Sequence, residues 1–175
     1  QRKKRTSKRQ HMKQLESDWR QQILNEAIEK WRLPICILAV AGCRPAELKK
    51  GVYLEVKDHR LVCKINSAKV KDGEITVRQI FESGEKVKNK KVTYHAGQEF
   101  RELHYDLGLY PMVDALAEKI VSCITIKIDN TSSLTSAVRA IAKKLWPKRK
   151  KSITSYCFRH ALGSDMKNSG MDPDD

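Results

Sequence analysis

Apolar residues recur every fourth position early in the chain, at Leu15, Trp19, Ile23, Ala27 and Trp31, with Leu24 and Ile28 beside them. That period predicts an amphipathic helix with one face on a core. Leu33-Pro34 is expected to break it, because proline lacks an amide hydrogen and crowds the preceding turn. Ile35 to Ala41 is apolar at every position, the pattern of a helix buried all round, and Gly42 ends it. Arg44-Pro45 opens a further element, with Glu47 in its first turn and Gly51 past its end. The period then falls to two. Val52 to Val56 and Leu61 to Ile65 alternate as half-exposed antiparallel strands do, and Ile75 to Phe81 reads as a third strand. Lys71-Asp72-Gly73-Glu74 supplies turn chemistry before that third run.

Residues 83 to 99 are polar and basic and predict a loop or extended hairpin, with a short strand at Val92 to Tyr94. Helical periodicity returns from Tyr110 to Cys123, where Pro111 takes the first turn and Val113, Leu116, Ala117 and Ile120 form the apolar face. It returns again from Leu134 to Leu145, and Trp146-Pro147 stops it. Thr154-Ser155 caps a last helix that carries Phe158, Arg159, Ala161, Leu162 and Met166 to Gly170. The sum is an α+β domain, mostly helical, with a small three-stranded antiparallel sheet.

Charge changes the picture more than length does. The 175 residues are enough for one buried core. Their formal charge of +14 makes a polyanion the first partner to consider. Seven basic residues lie in positions 1–14, where there is no acid, so 1–14 reads as a basic linker and 15–175 as the domain. Without that linker the body still carries 28 basic against 21 acidic residues. Five scattered cysteines predict reduced thiols and a cytoplasmic protein. No apolar run is long enough for a membrane span. Asp172-Pro173 followed by two acids is a helix-start signal with nothing after it, read as a chain cut inside a further segment.

Two arginine boxes carry the candidate chemistry: Gly42-Cys43-Arg44-Pro45-Ala46-Glu47-Leu48 and Ser155-Tyr156-Cys157-Phe158-Arg159-His160. Arginine's planar fork matches phosphate oxygens bidentately and stays charged at any working pH. Taken alone, Arg44 reads as a surface partner of Glu47. Taken with the second box, it reads as half of a phosphate clamp. A Walker loop, a His-Glu-x-x-His, a Cys-x-x-Cys pair and a compact carboxylate cluster are all missing from the chain. Neither metal nor cofactor is called for.

The order of these boxes around a lysine-bearing sheet resembles the catalytic domain of tyrosine recombinases, the phage-integrase family. The first box is similar to that family's Gly-x-Arg-x-x-Glu-Leu pattern. The second is similar to its His-x-x-Arg-His pattern, with Tyr156 where the first histidine is usual. The resemblance covers residue 15 onward. It implies strand cleavage and rejoining on double-stranded DNA through a 3′-phosphotyrosine intermediate, without metal, by an integrase of a mobile element working as a tetramer on DNA. Arg44 and Arg159 then clamp the scissile phosphate, and Tyr156 donates a hydrogen bond to it. Glu47 orients its neighbours, and His160 either supports the site or is structural. A hairpin lysine protonates the leaving oxygen: Lys69 fits best and Lys71 is the alternative. Lys148, Arg149, Lys150 and Lys151 are expected to meet DNA backbone phosphates, as are the lysines between 86 and 91, unless both runs are solvated loops. The family's attacking tyrosine lies beyond its second box, so none of the tyrosines here fits that role and the piece is expected to bind DNA without cutting it. The alternatives are a non-catalytic nucleic-acid-binding module, a degenerate relative that Tyr156 would suit, and a type IB topoisomerase.

Overall fold

A computed structural model describes residues 8–68, 71–80, 87–96 and 99–168. A single turn, α1 (Lys8–His11), precedes α2 (Trp19–Glu26), which buries Trp19 and Ile23. The chain then bends at Ala27 and Ile28, whose ψ angles of 134° and 158° are extended, and α3 (Glu29–Ala41) runs straight through Pro34. The expected break at Leu33-Pro34 is therefore corrected: it lies at Ala27-Ile28. Pro34 is the sixth residue of α3, so its missing amide removes one helical bond near the start of the helix. Every residue from Pro34 to Ala41 is buried, and that burial, worth about 1.5–3 kcal/mol for each large aliphatic side chain, outweighs one lost bond. Arg32 Nε donates to the Ala27 carbonyl at 3.0 Å and so satisfies the bend.

Gly42 ends α3 in the left-handed region (φ 56°), its amide donating to the Leu38 carbonyl at 3.1 Å. α4 (Pro45–Lys50) follows at once. Then β1 (Val52–Lys57) and β2 (Arg60–Asn66) form a tight hairpin. Its two turn residues, Asp58 and His59, both have positive φ, as a twisted two-residue hairpin requires. β5 (Phe100–Asp106) pairs with β2, and after α5 (Pro111–Ala117) the short β6 (Cys123–Ile126) pairs with β1. The sheet thus has four antiparallel strands in the order β5-β2-β1-β6, one more than expected. Leu54, Leu61, Cys63 and Ile65 are fully buried, and the core they belong to also takes in α3, Leu116, Leu134 and Phe158.

Three further expectations are corrected. The expected third strand belongs to a separate two-stranded ribbon, β3 (Lys71–Ile80) with β4 (Val87–Ala96). Gly73 lies inside β3 opposite Tyr94, so Asp72-Gly73 makes no turn; cross-strand pairing continues through it. The helix expected from Tyr110 to Cys123 stops at Ala117, and Cys123 opens an edge strand whose residues are largely exposed. α6 (Thr131–Leu145) and α7 (Ser155–Asn168) complete the domain. Asn130 caps α6 by accepting from the amides of Ser132 and Ser133 at 2.8 and 3.2 Å. Trp19 and Phe158, with ring centroids 4.9 Å apart, tie α2 to α7. Among the described residues no helix is long and apolar enough to cross a membrane.

The basic linker is also more than a tether. Arg149 donates to the carbonyls of His11 and Lys13 at 2.6 and 2.9 Å, Lys151 Nζ donates to Gln10 Oε1 at 2.8 Å, and His11 Nδ1 meets the Ser152 carbonyl at 2.8 Å. Residues 10–13 are thereby strapped to the loop before α7. Arg149→Met should release the strap, read as faster limited proteolysis N-terminal to Leu15 with a loss of about 1–3 kcal/mol in stability. Unchanged cleavage would show that the other two bonds suffice.

Candidate functional site

The first box folds as it does because α3 and α4 meet with only Gly42, Cys43 and Arg44 between them. Arg44 takes extended angles (φ −86°, ψ 152°) as the N-cap residue of α4, and Pro45 occupies the first helical position, where no amide is needed. The carboxylate of Glu47, three residues on, turns back and accepts from the Arg44 amide at 2.7 Å. Its other oxygen accepts from Arg44 Nη1 at 3.0 Å. Two more donors reach the same carboxylate: Arg101 Nη2 at 3.0 Å and the Ala68 amide at 3.3 Å. Each carboxylate oxygen thus has two donors, and the Glu47 side chain has no exposed surface. Burial pushes this carboxyl up, but the Arg44 amide, the Arg101 guanidinium, the Ala68 amide and the Arg44 guanidinium together hold it below the usual carboxylate range.

The second box reaches the same short turn. Arg159, one turn into α7, donates from Nη1 to the Gly42 carbonyl at 3.0 Å. Arg44 and Arg159 therefore flank residues 42–44. Burial lowers the Arg159 pKa most, followed by repulsion from Arg101 and Arg44, while Glu47 raises it. The guanidiniums of Arg44 and Arg101 both act on Arg159, and among the described residues the one carboxylate they share, Glu47, leaves two positive charges in excess. Like charges 4 Å apart repel by roughly 4 kcal/mol at an effective dielectric near 20. A partly buried cluster of this kind gains most from an anion with several oxygens.

The close approach of α7 depends on Gly42. A Cβ there would meet Leu162 Cδ2 at 2.7 Å and the Arg159 Cα at 3.6 Å, at a φ that side chains rarely adopt. Gly42→Ala should cost about 1–2 kcal/mol from backbone strain alone and move Arg159 away from Arg44. Urea denaturation measures the first effect. A change of less than half a kilocalorie would mean that the turn relaxes freely.

The other expected residues are distributed unevenly. Tyr156 is 45% exposed and lines an open pocket between α4 and α6, with Ala46, Thr131, Thr135, Ser136 and Arg139. It shares α7 with Arg159, one turn earlier. His160 is exposed, so it is not the partly buried histidine that one reading foresaw. Lys69 lies outside the described residues, as do Lys86 and the tail from residue 169 onward. Lys71 is the first residue of β3, opposite Ala96. The root of the lysine segment is fixed nonetheless: Ala68 is bonded to Glu47, the Ser67 amide donates to the Glu99 carbonyl at 2.9 Å, and Lys50 Nζ donates to the Ser67 carbonyl at 2.6 Å. Lys148 and Lys150 are exposed and open to a ligand. Arg149 and Lys151 are engaged by the N-terminal strap: Arg149 spends one terminal nitrogen on two backbone carbonyls, and the exposed Lys151 donates to Gln10.

Arg101 was not foreseen. It is the second residue of β5, opposite Ile65, and shares the inward-facing side with Leu103 and Tyr105. The alternation Glu102, His104, Asp106 against Leu103, Tyr105, Leu107 is a strand signal, and it places Arg101 on the core side. Tyr105 on that side donates its hydroxyl to the Val40 carbonyl at 2.5 Å, anchoring β5 to α3. Cys43, beside Arg44, is fully buried, and burial together with Glu47 pushes its thiol up to about 12. It is a packing residue and not a nucleophile at neutral pH. Among the described residues no set of three or more His, Cys, Asp and Glu side chains could hold a metal ion. No family model matches the chain, and neither a curated protein nor a solved structure matches it.

Proposed function

We propose that this chain is the catalytic domain of a DNA integrase or site-specific recombinase with the fold of the tyrosine-recombinase family. The observation that carries the reading is the cluster at residues 42–44, where Arg44 and Arg159 flank one backbone turn with positive charge in excess. In this reading a phosphodiester sits across the two guanidiniums. A tyrosine hydroxyl from outside residues 1–175 loses its proton to water and attacks phosphorus, forming a new P–O bond as the bond to the 5′ oxygen breaks. The departing oxygen takes a proton from Lys69 or Lys71, and the rejoining step reverses each transfer. Negative charge grows on the non-bridging oxygens in between, and fixed cations are worth most at that moment. The full-length protein would work as a tetramer on double-stranded DNA, in the cytoplasm, to move a mobile element.

Two measurements test the reading. The chain as it stands should bind a short DNA duplex with an affinity that falls steeply with salt, as phosphate-neutralising proteins do. A chain extended downstream to its attacking tyrosine should form a covalent adduct with a nicked suicide duplex. A folded extended chain that forms no adduct defeats the enzyme reading. Tyr156, which stands where the recombinase pattern carries a histidine, supports a second reading, a nucleic-acid-binding module without chemistry. Binding without an adduct is the outcome that module predicts.

A further inference from the structure

Three features stand beside the two arginine boxes. The first is the open pocket against Tyr156, which borders the site already described. The second is the charged outer face of the sheet around His59 and His104. Its charges are largely paired off: Arg60 with Asp106 at 2.7 Å, His104 with Glu102 at 2.8 Å and Lys64 with Glu102 at 3.9 Å. The third is the unforeseen guanidinium on β5, and it carries an argument.

We infer that Arg101 is a positioning residue that acts through Glu47, holding one carboxylate oxygen so that Arg44 remains a net cation available to the bound anion. The inference rests on the phosphate-clamp reading and adds to it. Consider the two boxes without Arg101. Glu47 would then neutralise Arg44, its nearest guanidinium, and one positive charge, that of Arg159, would face the anion. Oε2, left with the Arg44 amide as its donor, would also draw the Arg44 fork into a two-pronged pair, the favoured geometry between guanidinium and carboxylate. Arg44 would then be held by Glu47 at the expense of phosphate.

The observed geometry prevents both effects. Arg101 Nη2 occupies Oε2 at 3.0 Å while Arg44 Nη1 meets Oε1 at 3.0 Å, so Arg44 makes a single-pronged contact and keeps donors to spare. Both guanidinium side chains keep about a fifth of their surface exposed, 21% in each case, while Glu47 keeps none. The carboxylate is thus sealed and the cations around it are not. Arg101 is also well placed to be rigid. It lies second in a strand paired along its whole length with β2, and Tyr105 on the same face is bonded to α3. The same carboxylate holds Ala68, the last described residue before Lys69. Arg101 thereby links the clamp to the root of the segment that bears the general acid.

The charge logic sets the experiment. Inorganic phosphate is titrated into the isotope-labelled chain and followed at the side-chain Nε–H signals of Arg44 and Arg159, with binding of a short labelled duplex measured in parallel. Arg101→Met should weaken phosphate binding about tenfold, the effect of one lost charge in a partly screened site. Arg101→Lys, which keeps the charge, should bind within about threefold of wild type. The double variant Glu47→Gln with Arg101→Met restores the charge excess and should recover phosphate affinity even though its melting temperature falls. A merely structural arginine would lose affinity and melting temperature together and show no such recovery.

A folded Arg101→Met chain that binds phosphate like wild type overturns the inference. So does a double variant that stays as weak as the single one, because Arg101 would then touch the anion itself. Should Arg101→Met not fold, Arg101→Lys and the double variant decide the matter on the same terms. A wild-type chain whose Arg44 and Arg159 signals ignore phosphate overturns the clamp reading first, and that is visible before any variant is made.

Discussion

On the proposed integrase reading, in a chain extended to the tyrosine that reading requires, Arg159→Ala should slow adduct formation on a suicide duplex by about 100- to 1,000-fold, and Arg44→Ala by a similar factor. Removal of one preorganised donor at a developing oxyanion has consequences of that size, near 3–4 kcal/mol in barrier. The two variants should differ in stability. Arg159 makes its described bond to the Gly42 carbonyl, so its loss removes one hydrogen bond, worth about 1 kcal/mol. Arg44 helps to saturate a sealed carboxylate, and its loss leaves that carboxylate with the two amides and Arg101. The folded population of Arg159→Ala should therefore match wild type at room temperature, and its rate loss can be assigned to chemistry. Arg159→Lys should not restore the rate, because an ammonium cannot present two parallel donors to a phosphate. A slowing of less than tenfold in folded Arg159→Ala would remove this residue from the clamp.

Much of this site was legible in the sequence because its anchors are punctuation. Gly42 ends a helix, Arg44-Pro45 starts another and Thr154-Ser155 starts a third. Such signals act locally, and the structure places all three where they were read. The β1–β2 hairpin was legible for a similar reason, since its residues alternate except at the buried Val62 and each inward residue is apolar. What escaped notice obeys a non-local rule. β5 carries an arginine at its first inward position, so a scan for apolar alternation weakens at the residue that matters most to the site. An arginine on the buried side of a strand needs a buried acid, and that acid, Glu47, is 54 residues away in the chain. The bend at Ala27-Ile28 carries neither glycine nor proline, while Pro34, a strong breaker on paper, is carried inside a helix by the core around it. β6 was missed because it is a short edge strand held by pairing with β1, with Ile124 left 40% exposed. Local chemistry marked the two arginine boxes, and packing between distant segments brought Arg101 to the carboxylate beside the first of them.

That dependence on a single buried acid leads to the strongest expected effect on the fold. Glu47→Ala should destabilise the chain by about 3 kcal/mol, the lower end for removing one partner from a buried charge network. The lower end applies because the two guanidiniums left behind are partly exposed and can recover some hydration. The effect should also reach Ala68, whose amide loses its acceptor, so amide exchange at Ala68 should speed up along with the global change. The pH dependence has a definite sign. The folded carboxyl lies below its ordinary value of 4.5, so the unfolded state takes up the proton first as pH falls. The stabilisation from ionised Glu47 is complete above that ordinary value and is lost as pH drops through the lower, folded one. Glu47→Gln has no such proton to take up. Its deficit relative to wild type should stay constant from about pH 7 to about pH 5 and shrink below that, in urea titrations at low salt. A deficit under 1 kcal/mol, or one unchanged down to acid denaturation, would mean that neutral hydrogen bonds hold residues 42–47 together. The excess positive charge would then need another origin.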